Sequence, residues 1–397
     1  MRQSQGANGG HWLSDMRVLV CAGGTGGGIY PALAATAELQ GMGIATDDIL
    51  WIGTKGEMEE TLVTHAGLQL ATIDAGPIVG VPMSTRVKNG AKMLRGIGAA
   101  SSQIASFKPA VMLMTGGYVA APVALAARRH HVPIVIYLPD VEPGATIRYT
   151  VPLASKIACT TDGSGEFVPE EKMVVTGYPV RPEIRAATRL SKEAALAEFD
   201  LQPGRPTLFV FGGSRGARNI NRALMAILPE LLDDLQVIHI SGTFTWPEVE
   251  ANAEKLPADK RAYYRPYPYL HEKMGAAFRS ADLVVARAGA SMLGECPAFS
   301  LPSILVPLTF AWRYQKVNAD YLTDRGAAVQ LTDETLAEEL LPTIRSLIND
   351  KETLKRMGAA AEALDHPNAA GDLASLLLAE GSATDITESN VLSEEKS

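Results

Sequence analysis

Three short stretches place glycine and small polar residues where a chain could grip an anion. The first, Gly23-Gly-Thr-Gly-Gly-Gly28, follows the apolar run Arg17-Val-Leu-Val-Cys-Ala22 and precedes a helical stretch from Pro31 to Leu39. Glycines at such a junction let backbone N–H groups approach a ligand, and the helix start adds a favourable dipole. A tight strand-to-helix turn without a ligand is the other use of such a stretch. It is not a dinucleotide fingerprint, because Ile29 or Thr25 falls where that pattern needs glycine, and no Gly-Lys-Ser/Thr makes it a P-loop. Gly212-Gly-Ser-Arg-Gly-Ala217 repeats the arrangement, with a hydroxyl on Ser214 and positive charge available from Arg215 or Arg218. The third, Val285-Ala-Arg-Ala-Gly-Ala-Ser-Met-Leu-Gly-Glu295, ends in a carboxylate about one turn into its helix. Two carboxylate oxygens suit the paired hydroxyls of a ribose, and a capping or surface glutamate is the alternative. After the next apolar run and Pro307 come Arg313, Gln315 and Asn318, amides among them that can hold sugar hydroxyls without adding charge.

The elements that must position these groups alternate between strand and helix. Ile49–Ile52, Val111–Met114 and Ile134–Tyr137 read as buried parallel strands separated by helical segments. The pattern then restarts at Thr207–Phe211, with later strands at Val237–Ile240, Leu283–Ala286 and Ser303–Val306, and with Ile220, Leu224, Ile227 and Leu231 at helical spacing. Thr176-Gly-Tyr-Pro-Val-Arg-Pro182 suits a connection between the halves. The expected fold class is therefore α/β, two Rossmann-like domains facing each other across a cleft. The expected boundaries are a flexible extension at 1–15, an N-terminal domain at 16–178, a C-terminal domain at 179–366, and a segment at 367–397 ending in a disordered acidic tail.

Composition narrows the class of partner. A chain of 397 residues has room for two cores, and 47% hydrophobic with 20% charged residues reads as globular. A net charge of −8 argues against nucleic acid as the main partner. Cys21, Cys159 and Cys296 form no CxxC pair, which argues against a zinc motif or a disulfide framework and fits a reducing compartment. The polar start lacks the apolar core of a signal peptide, and no run approaches the about 20 apolar residues of a membrane span. The expectation is a cytoplasmic protein.

Taken in order, Gly23–Gly27 with Pro31, Thr115-Gly-Gly-Tyr-Val-Ala-Ala-Pro122, Gly177-Tyr-Pro-Val-Arg181, Gly212–Arg218, Arg287–Glu295, and Pro307 with Gln315 and Asn318 resemble the MurG-like family of UDP-N-acetylglucosamine transferases. The resemblance runs from Met16 to about Leu364. It implies a GT-B glycosyltransferase fold and inverting transfer of N-acetylglucosamine to a lipid-linked acceptor, the undecaprenyl-diphospho-muramoylpentapeptide of peptidoglycan synthesis, without a cofactor. It further implies that a UDP-sugar donor meets Ser214 at its diphosphate and Glu295 at its ribose hydroxyls, with Arg215, Gly216, Ala290, Ser291 and Asn318 also in the donor site. Gln315 would read the donor sugar, and Arg181 and the backbone near Leu270 would lie near the uracil. Gly24, Thr25, Gly26, Gly27 and Tyr118 would face the acceptor and its diphosphate.

The departures concern the acceptor side. Gly28 stands where the family pattern has histidine, and Tyr137-Leu-Pro-Asp140-Val-Glu142 replaces a His-Glu-Gln-Asn stretch. Tyr314 replaces the first member of a Gln-Gln pair. Two glycine loops and helix starts can stabilise a leaving diphosphate without a metal, and no Asp-x-Asp pair is present to hold one. A general base for the acceptor hydroxyl must then be sought at Asp140 or Glu142, of which Asp140 is preferred; either could instead be a loop carboxylate or a helix cap. Lys88, Lys92 and Arg95 share one helix face and Val87, Leu94 and Ile97 another, a pattern suited to the anionic inner face of a membrane or to ordinary packing on the domain. Alternatives to the leading reading are another lipid acceptor such as diacylglycerol, a nucleotide-sugar epimerase or hydrolase, and a non-catalytic UDP-sugar binder.

Overall fold

The computed structural model describes residues 16–24, 26–76, 82–213, 216–308 and 314–394, without the side chains of 87, 88 and 384–394. The expected extension at 1–15 lies outside the described residues. Two units emerge, one from residues up to 139, 143–179 and from 368 onward, the other from 140–142 and 180–367.

The first unit holds a seven-stranded parallel sheet. Its strands are β1 (Val18–Cys21), β2 (Ile49–Gly53), β3 (Gln69–Thr72), β4 (Val111–Met114), β5 (Ile134–Leu138), β6 (Lys156–Cys159) and β7 (Met173–Val175), in the order β3-β2-β1-β4-β5-β6-β7. β1, β2, β4 and β5 are buried along their whole length, which is why their sequences are unbroken apolar runs. Alternate residues serve opposite faces. Leu19, Leu50, Ile52, Met112 and Met114 pack with Ala100, Ile104 and Val123 of the helices Met83–Phe107 and Ala120–Arg129. Val18, Val20, Trp51, Val111 and Leu113 pack with Ile29, Ala32 and Leu39 of the helix Gly26–Gly41.

That second face is completed from the far end of the chain. The helix Ala369–Glu394 inserts Leu373, Ala374 and Leu377 into the same core. The expectation of a separate C-terminal segment with a disordered tail is thereby corrected. Leu373-Ala-Ser-Leu-Leu-Leu378 supplies an apolar stripe, and no proline interrupts the sequence beyond it.

The second unit repeats the design with β8 (Thr207–Phe211), β9 (Gln236–Ile240), β10 (Tyr264–Tyr267), β11 (Leu283–Ala286), β12 (Ser303–Leu305) and β13 (Ala328–Gln330), all parallel, in the order β10-β9-β8-β11-β12-β13. Leu208 and Val210 face Ile220, Leu224, Leu228 and Leu231 of the helix Arg218–Asp234. On the other face Phe209 meets Phe278 edge-on at 5.2 Å, and Phe278 stacks on Phe299 at 5.4 Å. Pro266 lies in β10, an edge strand, where a missing N–H is tolerated.

In each sheet the strand order reverses between a first strand and its fourth, β1 beside β4 and β8 beside β11. Connections leaving the carboxyl ends of such a pair diverge and open a crevice there. The loops that follow β1, β4, β8 and β11 include the glycine-bearing stretches 22–24, 115–117, 212–213 with 216, and 287–291.

Candidate nucleotide-sugar site

In the second unit the loop after β8 turns through Gly213 and Gly216, both at positive φ, and delivers the chain to the helix Arg218–Asp234. Gly216 packs against the Ser241 carbonyl just beyond β9 so closely that a Cβ would lie 2.1 Å from that oxygen. Only glycine fits there, and the helix N-terminus is left facing the crevice. No acidic side chain stands in its first turn. Ser214 and Arg215 lie outside the described residues, as does Arg313.

Across the crevice the loop after β11 leads into the short helix Met292–Ala298. Ala290 is buried, Ser291 half-buried, and Glu295 is buried with its backbone N–H on the Ser291 carbonyl at 2.7 Å. Burial raises the Glu295 pKa. The positive charge of Arg181 and a hydrogen bond with Ser291 pull it back, while Glu183 pushes it up again. Arg181 itself is 3.6 Å from Glu183. The residues expected at ribose and uracil, Glu295 and Arg181, are thus electrostatic neighbours. Leu270 is buried. The Gln315 side-chain carbonyl accepts from the Leu308 N–H at 2.9 Å, so this amide also orders the chain after β12.

Asn318 has a different task from the one expected. It is fully buried, and its amide nitrogen donates to Asp140 Oδ1 at 2.7 Å and to the Ala288 carbonyl at 3.1 Å. Its carbonyl accepts from the Val141 N–H at 3.0 Å. Both amide protons are therefore spent inside the protein, and Asn318 ties residues 140–142 to the loop after β11 instead of gripping a sugar. Asp140, although it follows β5, is held in the second unit by this side chain. Loss of water around its carboxyl raises the pKa to about 6, against the lowering effect of the Asn318 bond. Glu142 is buried as well.

In the first unit Gly24 is exposed at positive φ, and Gly26 and Gly27 open the helix Gly26–Gly41 half-buried. Thr25 lies outside the described residues. Gly117 approaches the Gly23 carbonyl, so the loops after β1 and β4 touch, and Tyr118 beside them is 54% exposed. The departure at Gly28 has a local counterpart. A Cβ there would lie 2.8 Å from the hydroxyl oxygen of buried Thr115, which fills the volume and has no hydrogen-bond partner among the described residues. Tyr137 is fully buried, its hydroxyl hydrogen-bonded with Thr160 at 2.7 Å and donating to the Gly177 carbonyl at 3.3 Å. It belongs to the core, not to a reacting centre.

Two contributors escaped the sequence reading. Glu59 is buried beneath the first glycine loop, where its carboxylate accepts from the N–H groups of Thr54 at 3.1 Å and Gly24 at 3.4 Å. Asn221 and His239 form a buried pair behind the second loop, at 3.0 Å. A carboxylate close after Gly53 and an amide in the first turn after Gly216 were the available signals, but neither residue type is unusual there.

The family model described as glycosyltransferase family 28 N-terminal domain matches residues 18–159, and that of the family 28 C-terminal domain matches 207–373. A protein of Roseiflexus sp. (strain RS-1), named UDP-N-acetylglucosamine–N-acetylmuramyl-(pentapeptide) pyrophosphoryl-undecaprenol N-acetylglucosamine transferase, is 39% identical over 95% of this chain and 98% of its own. A protein of the same name from Desulforamulus reducens is 37% identical over 90% of this chain and 97% of its own. Among solved structures, Acinetobacter baumannii MurG superposes with a TM-score of 0.73 at 26% identity, over 91% of this chain and 99% of that one. UDP-GlcNAc 2-epimerase from Neisseria meningitidis shares the fold, with a TM-score of 0.64 at 14% identity over 91% and 100%.

Replacing Asn318 with leucine removes the one hydrogen bond that lowers the Asp140 pKa. The carboxyl should then titrate above its present value of about 6, as read by carbon NMR of labelled aspartate. A titration that stays put or moves down would show that Asn318 does not stabilise the ionised form.

Proposed function

This chain belongs to glycosyltransferase family 28, and from that membership we propose that it transfers N-acetylglucosamine from UDP-N-acetylglucosamine to an N-acetylmuramyl-(pentapeptide) pyrophosphoryl-undecaprenol acceptor. The observation that carries the donor half of this reading is the buried Glu295 beside Arg181, at the carboxyl end of β11 and opposite the glycine loop after β8. A nucleoside diphosphate has the matching features. Its vicinal ribose hydroxyls donate to a carboxylate, and its diphosphate accepts from backbone N–H groups at a helix start.

In the transfer, an acceptor hydroxyl oxygen bonds to the anomeric carbon as the bond from that carbon to the UDP oxygen breaks, with inversion. The charge left on the diphosphate falls to the N–H groups and dipole of the helix Arg218–Asp234 and to Ser214 and Arg215. The acceptor proton goes to Asp140. Two features support that role: a pKa near 6 leaves the carboxylate ionised at neutral pH yet basic enough to accept, and Asn318 fixes one of its oxygens so that the other can serve. The candidate base is anchored to the unit that carries the donor loops. Glu142 is the alternative base, and the first-unit loop 24–27 with Tyr118 is the part assigned to the acceptor.

The acceptor's lipid calls for contact with the inner face of the membrane, and among the described residues no helix is long and apolar enough to cross one. The helix Met83–Phe107 packs on its own unit through small residues; a Cβ on Gly96 would lie 2.7 Å from the Asp74 carbonyl. Contrary to packing by Leu94, this leaves Leu94 73% and Met83 72% exposed, three turns apart on one face at roughly 3.6 residues per turn. Arg95, next to Leu94 along the chain, is exposed, while half-buried Lys92 lies on the opposite side of the helix; the side chain of Lys88 lies outside the described residues. The neighbouring helix Ala120–Arg129 adds exposed Leu125, Arg128 and Arg129. Exposed apolar residues with arginines nearby suit an anionic bilayer surface.

Glu295→Ala should weaken UDP-N-acetylglucosamine binding roughly ten- to hundred-fold with circular dichroism unchanged, the scale of a lost charged hydrogen-bond pair; unaltered affinity by calorimetry would overturn the donor assignment. The transfer rate should rise with pH through about 6, because only the ionised Asp140 can accept the proton. Asp140→Asn should lower kcat by roughly 10² or more and abolish that limb, and an intact limb would remove Asp140 as base. Finally, Met83→Glu with Leu94→Glu should reduce sedimentation with phosphatidylglycerol vesicles by about ten-fold while leaving UDP affinity intact; equal sedimentation would move the membrane face elsewhere.

A further inference from the structure

We infer that a buried relay, Tyr264–His239–Asn221, is the device that positions Gly216 and the start of the helix Arg218–Asp234 for a nucleoside diphosphate, an inference that rests on the donor site proposed above. All three side chains are buried, and Asn221 and His239 are wholly so. Asn221 lies in the first turn of the helix Arg218–Asp234, and His239 and Tyr264 lie on the adjacent strands β9 and β10.

The direction of every bond in the relay follows from one carbonyl. The Asn221 amide sits 2.8 Å from the Ser241 carbonyl, which can only accept, so Nδ2 faces it; Nδ2 also donates to Thr245 Oγ1 at 2.6 Å. Oδ1 therefore faces His239 Nε2 at 3.0 Å and must accept, which puts the imidazole proton on Nε2. Nδ1 then has only a lone pair and accepts from the Tyr264 hydroxyl at 2.7 Å. The imidazole is neutral, and burial lowers its pKa to about 3, so the relay keeps one arrangement throughout the neutral range.

What the relay holds is the Ser241 carbonyl. That oxygen accepts from Asn221 and from Thr245 Oγ1 at 2.7 Å, and it is the surface on which Gly216 rests. Asn221 thus links three things through one amide: the helix that offers its N–H groups to the diphosphate, the strand end that supports the loop, and the fixed imidazole of the sheet. None of the three relay side chains touches the crevice, so they are positioning residues. Their effect should fall on the diphosphate and spare the nucleoside, which is held by the loop after β11 and by Arg181.

The test compares the affinities of UDP and of uridine, by NMR competition, in the full chain and in Asn221→Ala, Asn221→Asp, Tyr264→Phe and Gly216→Ala. Asn221→Asp keeps the acceptor for His239 and removes the donors to Ser241 and Thr245. Tyr264→Phe removes one hydroxyl and keeps the core volume, so it decides the matter if the Asn221 variants do not fold. UDP should bind roughly ten-fold more weakly in the Asn221 variants and about three-fold more weakly in Tyr264→Phe, with uridine unchanged. Weakened UDP in Gly216→Ala with unchanged UDP in folded relay variants would overturn the relay and leave the diphosphate reading standing. Unchanged UDP in Gly216→Ala would overturn both. Equal losses for UDP and uridine in the relay variants would overturn the relay by showing only general loosening.

Discussion

Where two neighbouring parallel strands send their following helices to opposite faces of a sheet, their connections part and leave backbone N–H groups open to a ligand. Both sheets here are built around that divergence, at β1–β4 and at β8–β11. The glycines follow from it, because a ligand that is to meet the backbone must not meet a side chain first. Gly216 shows the other half of the constraint, since the loop must also press back onto the strand end behind it. Loop and strand end form one packed object, and the helix start that faces the ligand is only as well placed as that packing.

Two loops of similar sequence turn out to be electrically unlike. Beneath the first lies the Glu59 carboxylate, accepting from Gly24 and Thr54, so part of that loop's capacity to bind an anion is used within the protein. Behind the second lies a neutral imidazole and an amide, which order the loop without charge and leave the helix dipole to act on the ligand. Glu295 is the acid of the second unit's crevice, and Arg181 offsets it. A strongly negative diphosphate is better served by the second arrangement than by the first.

The sequence revealed those features in which one residue type has one physical meaning. Wholly or mainly apolar runs mark β1, β2, β4, β5, β8, β9, β11 and β12, because a parallel strand covered on both faces has few polar positions, His239 of β9 being one. The sequence does not announce β3, β6, β7, β10 and β13: β6 is the short run Lys156-Ile-Ala-Cys159, and the others are short outer strands such as Gln69-Leu-Ala-Thr72 and Tyr264-Arg-Pro-Tyr267, partly solvated and without a periodic signal. The glycine stretches were legible as strand-to-helix turns for the same reason as the central strands. Asn318 was not, because an amide that holds a sugar and an amide that holds a backbone look alike in sequence, and only its three bonds to Asp140, Val141 and Ala288 separate them. Glu59 and His239 lie far in sequence from what they support, and local pattern carries no trace of such partnerships.

The helix Ala369–Glu394 belongs to the core of the first unit, although the whole of 180–367 is translated before it. The first unit therefore lacks Leu373, Ala374 and Leu377 over Val18, Val20 and Val111 until residues beyond 367 have been made. Until then a patch of that apolar face is bare and open to unwanted contacts. The unit whose sequence begins first is closed only by residues that follow the whole of the other unit's sequence.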